Sequence, residues 1–213
     1  LTMKHLFTLL ALTIGFSMNA QNLSTYYTTA DGDFSTAMGS YTEADGDFST
    51  AMGSYTKAQG DYSTAMGYST TASEAYSTAM GNETTANGQA STAIGYRTQA
   101  SGSYSTAMGI YTTASGSYST AMGYNTTASE YSSTAMGYDT TAIGWFSTAM
   151  GVETTASGYY STAMGSSTTA NGQASTAMGK GTIASDFGSL VIGQYNSSGS
   201  TPTSADSFDT ANT

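Results

Sequence analysis

The stretch ASGSYSTAMGYNTT, residues 114–127, is one copy of a unit that repeats along most of this chain. The consensus A-x-G-x-[FY]-S-T-A-M-G-x-x-T-T runs from Ala30 to Gly193 without an insertion or a deletion. The glycine of its STAMG block recurs every 14 residues, at Gly39, Gly53, Gly67, Gly81, Gly95, Gly109, Gly123, Gly137, Gly151, Gly165, Gly179 and Gly193. Because one inserted residue would put every later copy out of register, this spacing predicts that each copy is one coil stacked on the next.

The composition excludes several classes of protein. The 213-residue chain has no cysteine, which removes disulfides, thiolate metal sites and cysteine nucleophiles. Its one histidine, His5, lies in a predicted signal peptide, and no set of residues is arranged like a catalytic site. We therefore predict a protein that is not an enzyme and needs no metal or cofactor. Fourteen acidic residues against four lysines and arginines would repel phosphate backbones, so nucleic-acid binding is not expected.

Both ends of the chain differ from the repeat. In residues 1–20, Lys4 and His5 precede an apolar run that ends in small residues suited to a cleavage site. This pattern is typical of a cleaved signal peptide; a retained anchor is the alternative. The apolar run is too short for a membrane span, so no membrane insertion is expected within this chain. We predict a lead-in at residues 21–29, the repeat at residues 30–193 and an irregular lead-out at residues 194–213 that is cut short.

Each copy has the period of two that is typical of β-strands. In residues 35–39 serine, alanine and glycine share one face, and threonine and methionine share the other. In residues 42–46 threonine, alanine and glycine again share a face, opposite two acidic residues. We predict two five-residue strands per copy, with tight turns at residues 40–41 and 47–48 and the small side chains in the lumen. The expected fold is an all-β parallel solenoid of about twelve 14-residue coils.

This choice of faces places a column of large apolar residues outside. Every methionine beyond the signal peptide falls in one slot of the repeat, which two isoleucines complete: Met38, Met52, Met66, Met80, Ile94, Met108, Met122, Met136, Met150, Met164, Met178 and Ile192. An exposed apolar patch of this length is typical of an interface with another chain. Burial there would stabilise the assembly by about 1.5–3 kcal/mol per methionine. We predict that another chain covers this column. The alternative is the inverted arrangement, with methionine in the lumen.

The pattern S-x-A-x-G, followed by x-T-x-A-x-G, resembles the head repeat of YadA-like trimeric autotransporter adhesins. The resemblance covers roughly Thr28 to Gln194, and residues 189–193 are closest to the branched-aliphatic form common in that family. It implies a left-handed parallel β-roll in a homotrimer, in which positions such as Thr36 and Met38 face the threefold axis. The column of methionines and isoleucines would then be the trimer core. It also implies a secreted protein displayed at the cell surface and associated with the outer membrane through a region outside this chain.

Aromatic residues occupy both turns of the repeat. One turn carries a regular column, for which we expect stacking between coils; a ladder for ligand contact is the alternative. Its members are Phe34, Phe48, Tyr62, Tyr76, Tyr104, Tyr118, Phe146 and Tyr160. The other turn carries irregular tyrosines, which repeat geometry does not explain. Among these we select Tyr68, Tyr96, Tyr124 and Tyr138 as candidate contacts for a host or matrix protein or a glycan.

The first copies concentrate acidic residues at one turn, at Asp31, Asp33, Asp45, Asp47 and Asp61. Stacked carboxylates can share Ca²⁺ through oxygen ligands, but no known calcium-binding spacing is present. We expect a solvated acidic turn, with weak Ca²⁺ binding as the alternative.

The outward side of the second strand carries threonine rows, for example at Thr113 and Thr127. Such rows resemble ice-binding surfaces, although residues such as Lys57 and Ile143 interrupt them, so a soluble β-prone surface is the simpler interpretation. The sequence as a whole predicts an adhesin head or fibre segment that binds by surface contact. An ice-binding solenoid and a purely structural spacer fibre are the alternatives.

Overall fold

The computed structural model describes residues 20–198, which fall into two compact units that divide between Thr112 and Thr113. The predicted signal peptide, apart from Ala20, and the predicted lead-out beyond Ser198 lie outside the described residues. Every regular element from residue 20 to residue 198 is a β-strand. In this part of the chain there is no helix long and apolar enough to cross a membrane.

The first unit alternates longer strands with two-residue strands. In chain order these are β1 (Ala20–Tyr26), β2 (Thr29–Ala30), β3 (Ser35–Ser40), β4 (Glu43–Ala44), β5 (Thr50–Ser54), β6 (Lys57–Ala58), β7 (Thr64–Tyr68), β8 (Thr71–Ala72), β9 (Thr78–Asn82), β10 (Thr85–Ala86), β11 (Thr92–Tyr96), β12 (Gln99–Ala100) and β13 (Thr106–Ile110). The odd-numbered strands pair in parallel in chain order and form the long-strand sheet; the even-numbered strands form the short-strand sheet. Equivalent residues of successive copies are partners, as Met66 is with Met80.

The second unit repeats this arrangement from residue 113 to residue 198. Its strands are β14 (Thr113–Ala114), β15 (Thr120–Tyr124), β16 (Thr127–Ala128), β17 (Thr134–Tyr138), β18 (Thr141–Ala142), β19 (Thr148–Val152), β20 (Thr155–Ala156), β21 (Thr162–Ser166), β22 (Thr169–Ala170), β23 (Thr176–Lys180), β24 (Ile183–Ala184), β25 (Leu190–Gln194) and β26 (Ser197–Ser198). Pairing is again parallel and in register, as between Met136 and Met150. Each unit is therefore an all-β parallel solenoid with a 14-residue spacing, which confirms the predicted fold class.

The small side chains fill the lumen, as the period of two predicted. In one coil of the second unit, Ser119, Ala121, Thr126 and Ala128 are fully buried, and no fully buried side chain in the described residues is larger than threonine. The methionines lie outside. The inverted arrangement is therefore wrong, because two backbones so close together leave room only for alanine, serine and threonine.

The second strand of each copy is shorter than predicted, with two residues instead of five. After Ala44 the backbone N–H groups of Asp45 and Gly46 both donate to the carbonyl of Ala58, at 2.9 and 3.3 Å. Because two successive donors share one acceptor, the regular ladder stops there and the chain turns.

The glycine of the STAMG block does not lie in the lumen, which corrects its predicted position. Gly53 is exposed and has a φ of +128°, a conformation that favours glycine. A β-carbon on Gly53 would stand 2.0 Å from the carbonyl oxygen of Gly67 in the next coil. This glycine is required by the contact between coils and not by the size of the lumen.

Both turns contain a residue with a positive φ that is not glycine. We call the turn that follows each long strand the long-strand turn and the turn that follows each short strand the short-strand turn. Tyr55 lies in a long-strand turn and has a φ of 55°, and Tyr62 lies in a short-strand turn and has a φ of 58°. The N–H of Tyr55 donates to the carbonyl of Ser40 at 2.9 Å, and that of Tyr62 to Asp47 at 2.8 Å. These bonds between coils offset the cost of the left-handed conformation, about 1–2 kcal/mol per residue.

Candidate interaction surfaces

The outer face of the long-strand sheet carries one threonine column and one methionine column in each unit. Met136 pairs with Met150, and Thr134 pairs with Thr148 beside them. Most of these methionines are half-buried against their neighbours in the column, and Met122 is 37% exposed. The side chains form a continuous apolar stripe on each unit, which the fold of a single chain leaves facing outward.

The four tyrosines selected from the sequence do not form one cluster. Tyr68 and Tyr96 end strands of the first unit, and Asn82 lies between them in the register. Tyr124 and Tyr138 end adjacent strands of the second unit, where their rings stack with centroids 5.0 Å apart and an interplanar angle of 7°. The structure therefore brings together only the second pair, and both of its side chains are exposed.

Where the long-strand turn lacks tyrosine, polar side chains pair between coils. In the first unit Arg97 Nε donates to Glu83 Oε2 at 2.6 Å, and this hydrogen bond and the charge of Glu83 raise the pKa of Arg97. The Arg97 guanidinium also lies 5.1 Å from the ring centroid of Tyr96 and 5.8 Å from that of Tyr111. In the second unit Asn125 donates a hydrogen bond to the carboxylate of Asp139.

The regular aromatic column at the short-strand turn stacks as predicted. Phe48 and Tyr62 lie with ring centroids 5.0 Å apart and planes 5° from parallel, and Tyr62 and Tyr76 are 5.1 Å apart at the same angle. Offset stacking of this kind adds about 0.5–1.5 kcal/mol per pair to what burial of the rings contributes.

The second unit has an aromatic cluster that sequence reasoning missed. Three rings, those of Tyr131, Trp145 and Tyr159, stand beside the regular column. Tyr131 and Tyr159 contact Phe146 edge to face, Tyr159 also contacts Tyr160 in this way, and Trp145 lies between Tyr131 and Tyr159. We call these five residues the aromatic platform, and all five are exposed. The missed signal was a change of residue type, because this column begins with aspartates and is aromatic in three successive copies, at Tyr131, Trp145 and Tyr159.

The acidic turn of the first unit is held by hydrogen bonds to its own backbone. Asp47 Oδ1 accepts from the N–H of Asp33 at 2.8 Å, and Asp61 Oδ1 accepts from the N–H of Asp47 at 3.0 Å. Burial raises the pKa of Asp45, and the charges of Glu43 and Asp31 add to the rise. Among residues 20–198 no three acidic or histidine side chains are close enough together to hold a metal ion.

The outer face of the short-strand sheet is polar. In the first unit Lys57 Nζ lies 2.7 Å from Glu43 Oε2 across adjacent coils. In the second unit five successive strands place a half-buried threonine outward, at Thr113, Thr127, Thr141, Thr155 and Thr169. The predicted outward threonine rows are therefore present, and this one is uninterrupted over five coils.

Comparison with known proteins points to one family. A family profile described as the YadA head domain repeat (2 copies) matches residues 29–56, 58–84, 86–112, 114–147, 142–168 and 170–196. These segments take in nearly all of the residues that form the two solenoid units. A search of curated proteins gave no match.

Proposed function

Because this chain belongs to the YadA head domain family, whose members are trimeric, non-catalytic adhesins displayed on the cell surface, we propose that it is a head segment of a homotrimer. Three copies meet through the long-strand sheets and bury the methionine columns between them. The assembled head binds its target by surface contact.

The methionine column is the observation that carries this proposal. The slot is apolar in every copy, and it lies on the outside of a fold whose lumen admits nothing larger than threonine. Burial would stabilise by about 1.5–3 kcal/mol for each methionine fully covered. The adjacent threonine column makes this interface more polar than branched aliphatic residues would.

Sedimentation of the purified chain tests the assembly. We expect trimers, and we expect Met136→Asp with Met150→Asp to dissociate them, because the pair would place charges in the apolar contact. Met136→Ile with Met150→Ile is the matched control, since Ile94 and Ile192 already occupy this slot. A soluble, folded monomer of the unmodified chain would refute the proposal.

For ligand contact we propose the stacked pair Tyr124 and Tyr138, with Tyr68 and Tyr96 as secondary contacts. The pair is exposed and its two rings form one continuous apolar surface. Tyr124→Ser with Tyr138→Ser should leave the fold intact, because Ser54 ends an equivalent strand. On arrays of matrix proteins and glycans, the parent chain should bind a target that the double variant binds more weakly. A parent chain that binds nothing on such arrays would favour a spacer fibre.

A further inference from the structure

The aromatic platform is a second exposed surface, separate from the methionine columns and from the Tyr124–Tyr138 pair. Each of its five side chains is at least 38% exposed, and Trp145 is 49% exposed. Single exposed aromatic residues are ordinary on protein surfaces, but a contiguous group of five marks an interaction site. Aromatic residues, tryptophan and tyrosine above all, are also the residues that dominate binding energy at interfaces.

The platform presents open ring faces at one end. The rings of its two columns are perpendicular where they meet: those of Tyr159 and Tyr160 are 4.4 Å apart at 90°, while Trp145 and Tyr159, within one column, stack at 24° with centroids 6.1 Å apart. In the next coil the equivalent positions hold Gln173 and Ala174. No ring of that coil can therefore continue either column, and the faces of Tyr159 and Tyr160 on that side have no aromatic neighbour in it.

Elsewhere in the protein a cation occupies comparable ring faces. The guanidinium of Arg97 lies over Tyr96 and Tyr111 in the first unit, at 5.1 and 5.8 Å from the ring centroids. In the second unit the ammonium of Lys180 lies 5.9 Å from the ring centroid of Tyr195. Such contacts contribute about 0.5–1 kcal/mol at exposed sites and about 2 kcal/mol when water is excluded.

The platform has no cation of its own. Among residues 113–198, which the structure describes, the acidic residues are Glu130, Asp139, Glu153 and Asp186, and the only cation is Lys180 at Tyr195. Glu130 adjoins Tyr131 at the edge of the platform. The faces of Tyr159 and Tyr160 therefore have no cation of this unit over them, and four acidic residues against one lysine favour positive charge from outside the chain.

We propose that the aromatic platform is a docking site for an arginine-rich segment of a partner protein, whose guanidinium groups lie over the open faces of Tyr159 and Tyr160, beside Trp145. The net charge of −10 on the chain attracts such a partner and repels anionic ones. Arginine fits better than lysine, because the guanidinium is planar, weakly hydrated and able to stack on a ring. A neutral glycan gains nothing from the acidic surroundings.

Fluorescence provides a direct test, because Trp145 is the only tryptophan in the chain. The full chain is titrated with an oligoarginine peptide, an oligolysine peptide of equal length and a neutral β-glucan oligosaccharide. We expect oligoarginine to change the emission of Trp145 and to bind more tightly than oligolysine. Tyr159→Ser with Tyr160→Ser keeps the reporter and should weaken oligoarginine binding roughly tenfold, since two cation–π contacts are lost.

The serine pair is compatible with the fold, because Ser117 and Ser132 hold the same two column positions. Phe48→Ser with Tyr62→Ser, in the first unit, is the matched control, because each of these two rings is stacked on both faces. It should bind oligoarginine like the parent, as followed by a label on the peptide. Equal weakening in both variants would mean that any exposed aromatic column binds oligoarginine, and unchanged binding in both would reduce the effect to general attraction by acidic residues; either result would overturn the proposal. A response to the β-glucan alone, no response of Trp145, or self-association lost in the platform variant would also overturn it.

Discussion

Gly123 lies so close to Gly137 of the next coil that a β-carbon on Gly123 would stand 2.0 Å from the Gly137 carbonyl oxygen. Its φ of +126° is also one that residues with a side chain rarely adopt. Both facts apply to the equivalent glycine in most coils, which explains why this residue never varies in the repeat.

Gly123→Ala should therefore destabilise the protein by about 3 kcal/mol or more, since neither backbone can move without breaking the ladder. Gly188→Ala is the control, because Gly188 has a φ of 64°, open space where a β-carbon would stand, and Ala174 at the same column position. We expect it to cost about 1–2 kcal/mol at most. Thermal unfolding measures both, and equal losses would contradict the close approach as the cause.

The lumen contains buried hydroxyl groups without hydrogen-bond partners among the described residues, including that of Thr126. An unpaired buried hydroxyl costs about 1–3 kcal/mol. We expect Thr126→Val to raise the free energy of unfolding, because valine has nearly the same shape and no polar atom to satisfy. Thr127→Val, on the outer face of the same coil, should change it by no more than about 0.5 kcal/mol. A loss of stability in Thr126→Val would mean that the hydroxyl has a partner in solution.

The residues of the lumen were predicted correctly from the sequence, because the fixed register and the period of two leave few ways to assign side chains to the two faces. Once small residues alternate with threonine and with methionine or isoleucine in nearly every copy, only one face can be inside a narrow coil. The short strand was predicted too long because its alternation continues past Ala44, whereas a shared acceptor at Ala58 ends the ladder. The aromatic platform escaped prediction because the position before the regular aromatic column is aromatic in a run of only three copies, at Tyr131, Trp145 and Tyr159, and the consensus leaves that position unassigned.

The raised pKa of Asp45 predicts a pH-dependent effect on stability. The folded chain holds this proton more tightly than the unfolded chain, so the ionised carboxylate opposes folding. The penalty is absent below the usual pKa of 3.8 and develops as the pH rises through the raised value. Asp45→Asn should therefore raise the melting temperature at pH 7 and leave it unchanged at pH 3. Asparagine suits this position, since Asn87 occupies it in a later coil; the opposite pH trend would contradict the assignment.

Stacking in register predicts that the number of residues deleted matters more than their identity. Deletion of Thr134 alone moves Met136 toward the lumen, where nothing larger than threonine is accommodated, and should abolish folding of that part of the chain. Deletion of residues 128–141 removes one whole coil and joins Thr127 to Ala142 as a normal Thr-Ala pair. This larger deletion should keep a cooperative thermal transition. If circular dichroism shows the two deletions to be equally harmful, stacking of equivalent coils is not what stabilises the fold.

The outward threonine column of the second unit allows a decisive test of ice binding. Its five threonines are in register from Thr113 to Thr169. The residues two positions after each of them form a second column, in which Ile143 and Asn171 interrupt the serines. The surface is therefore regular in one direction only. We therefore expect the parent protein to show neither thermal hysteresis nor inhibition of ice recrystallisation.

Thr127→Lys with Thr141→Lys tests the same face directly. The pair should leave both the fold and the oligomeric state unchanged, because Lys57 already occupies this outward position in the first unit, where it pairs with Glu43. Ice activity in the parent that disappears in this variant would make the threonine column the functional surface. Activity that persists in the variant would place ice binding on another face, and the outer threonines of the long-strand sheet would be the next to replace.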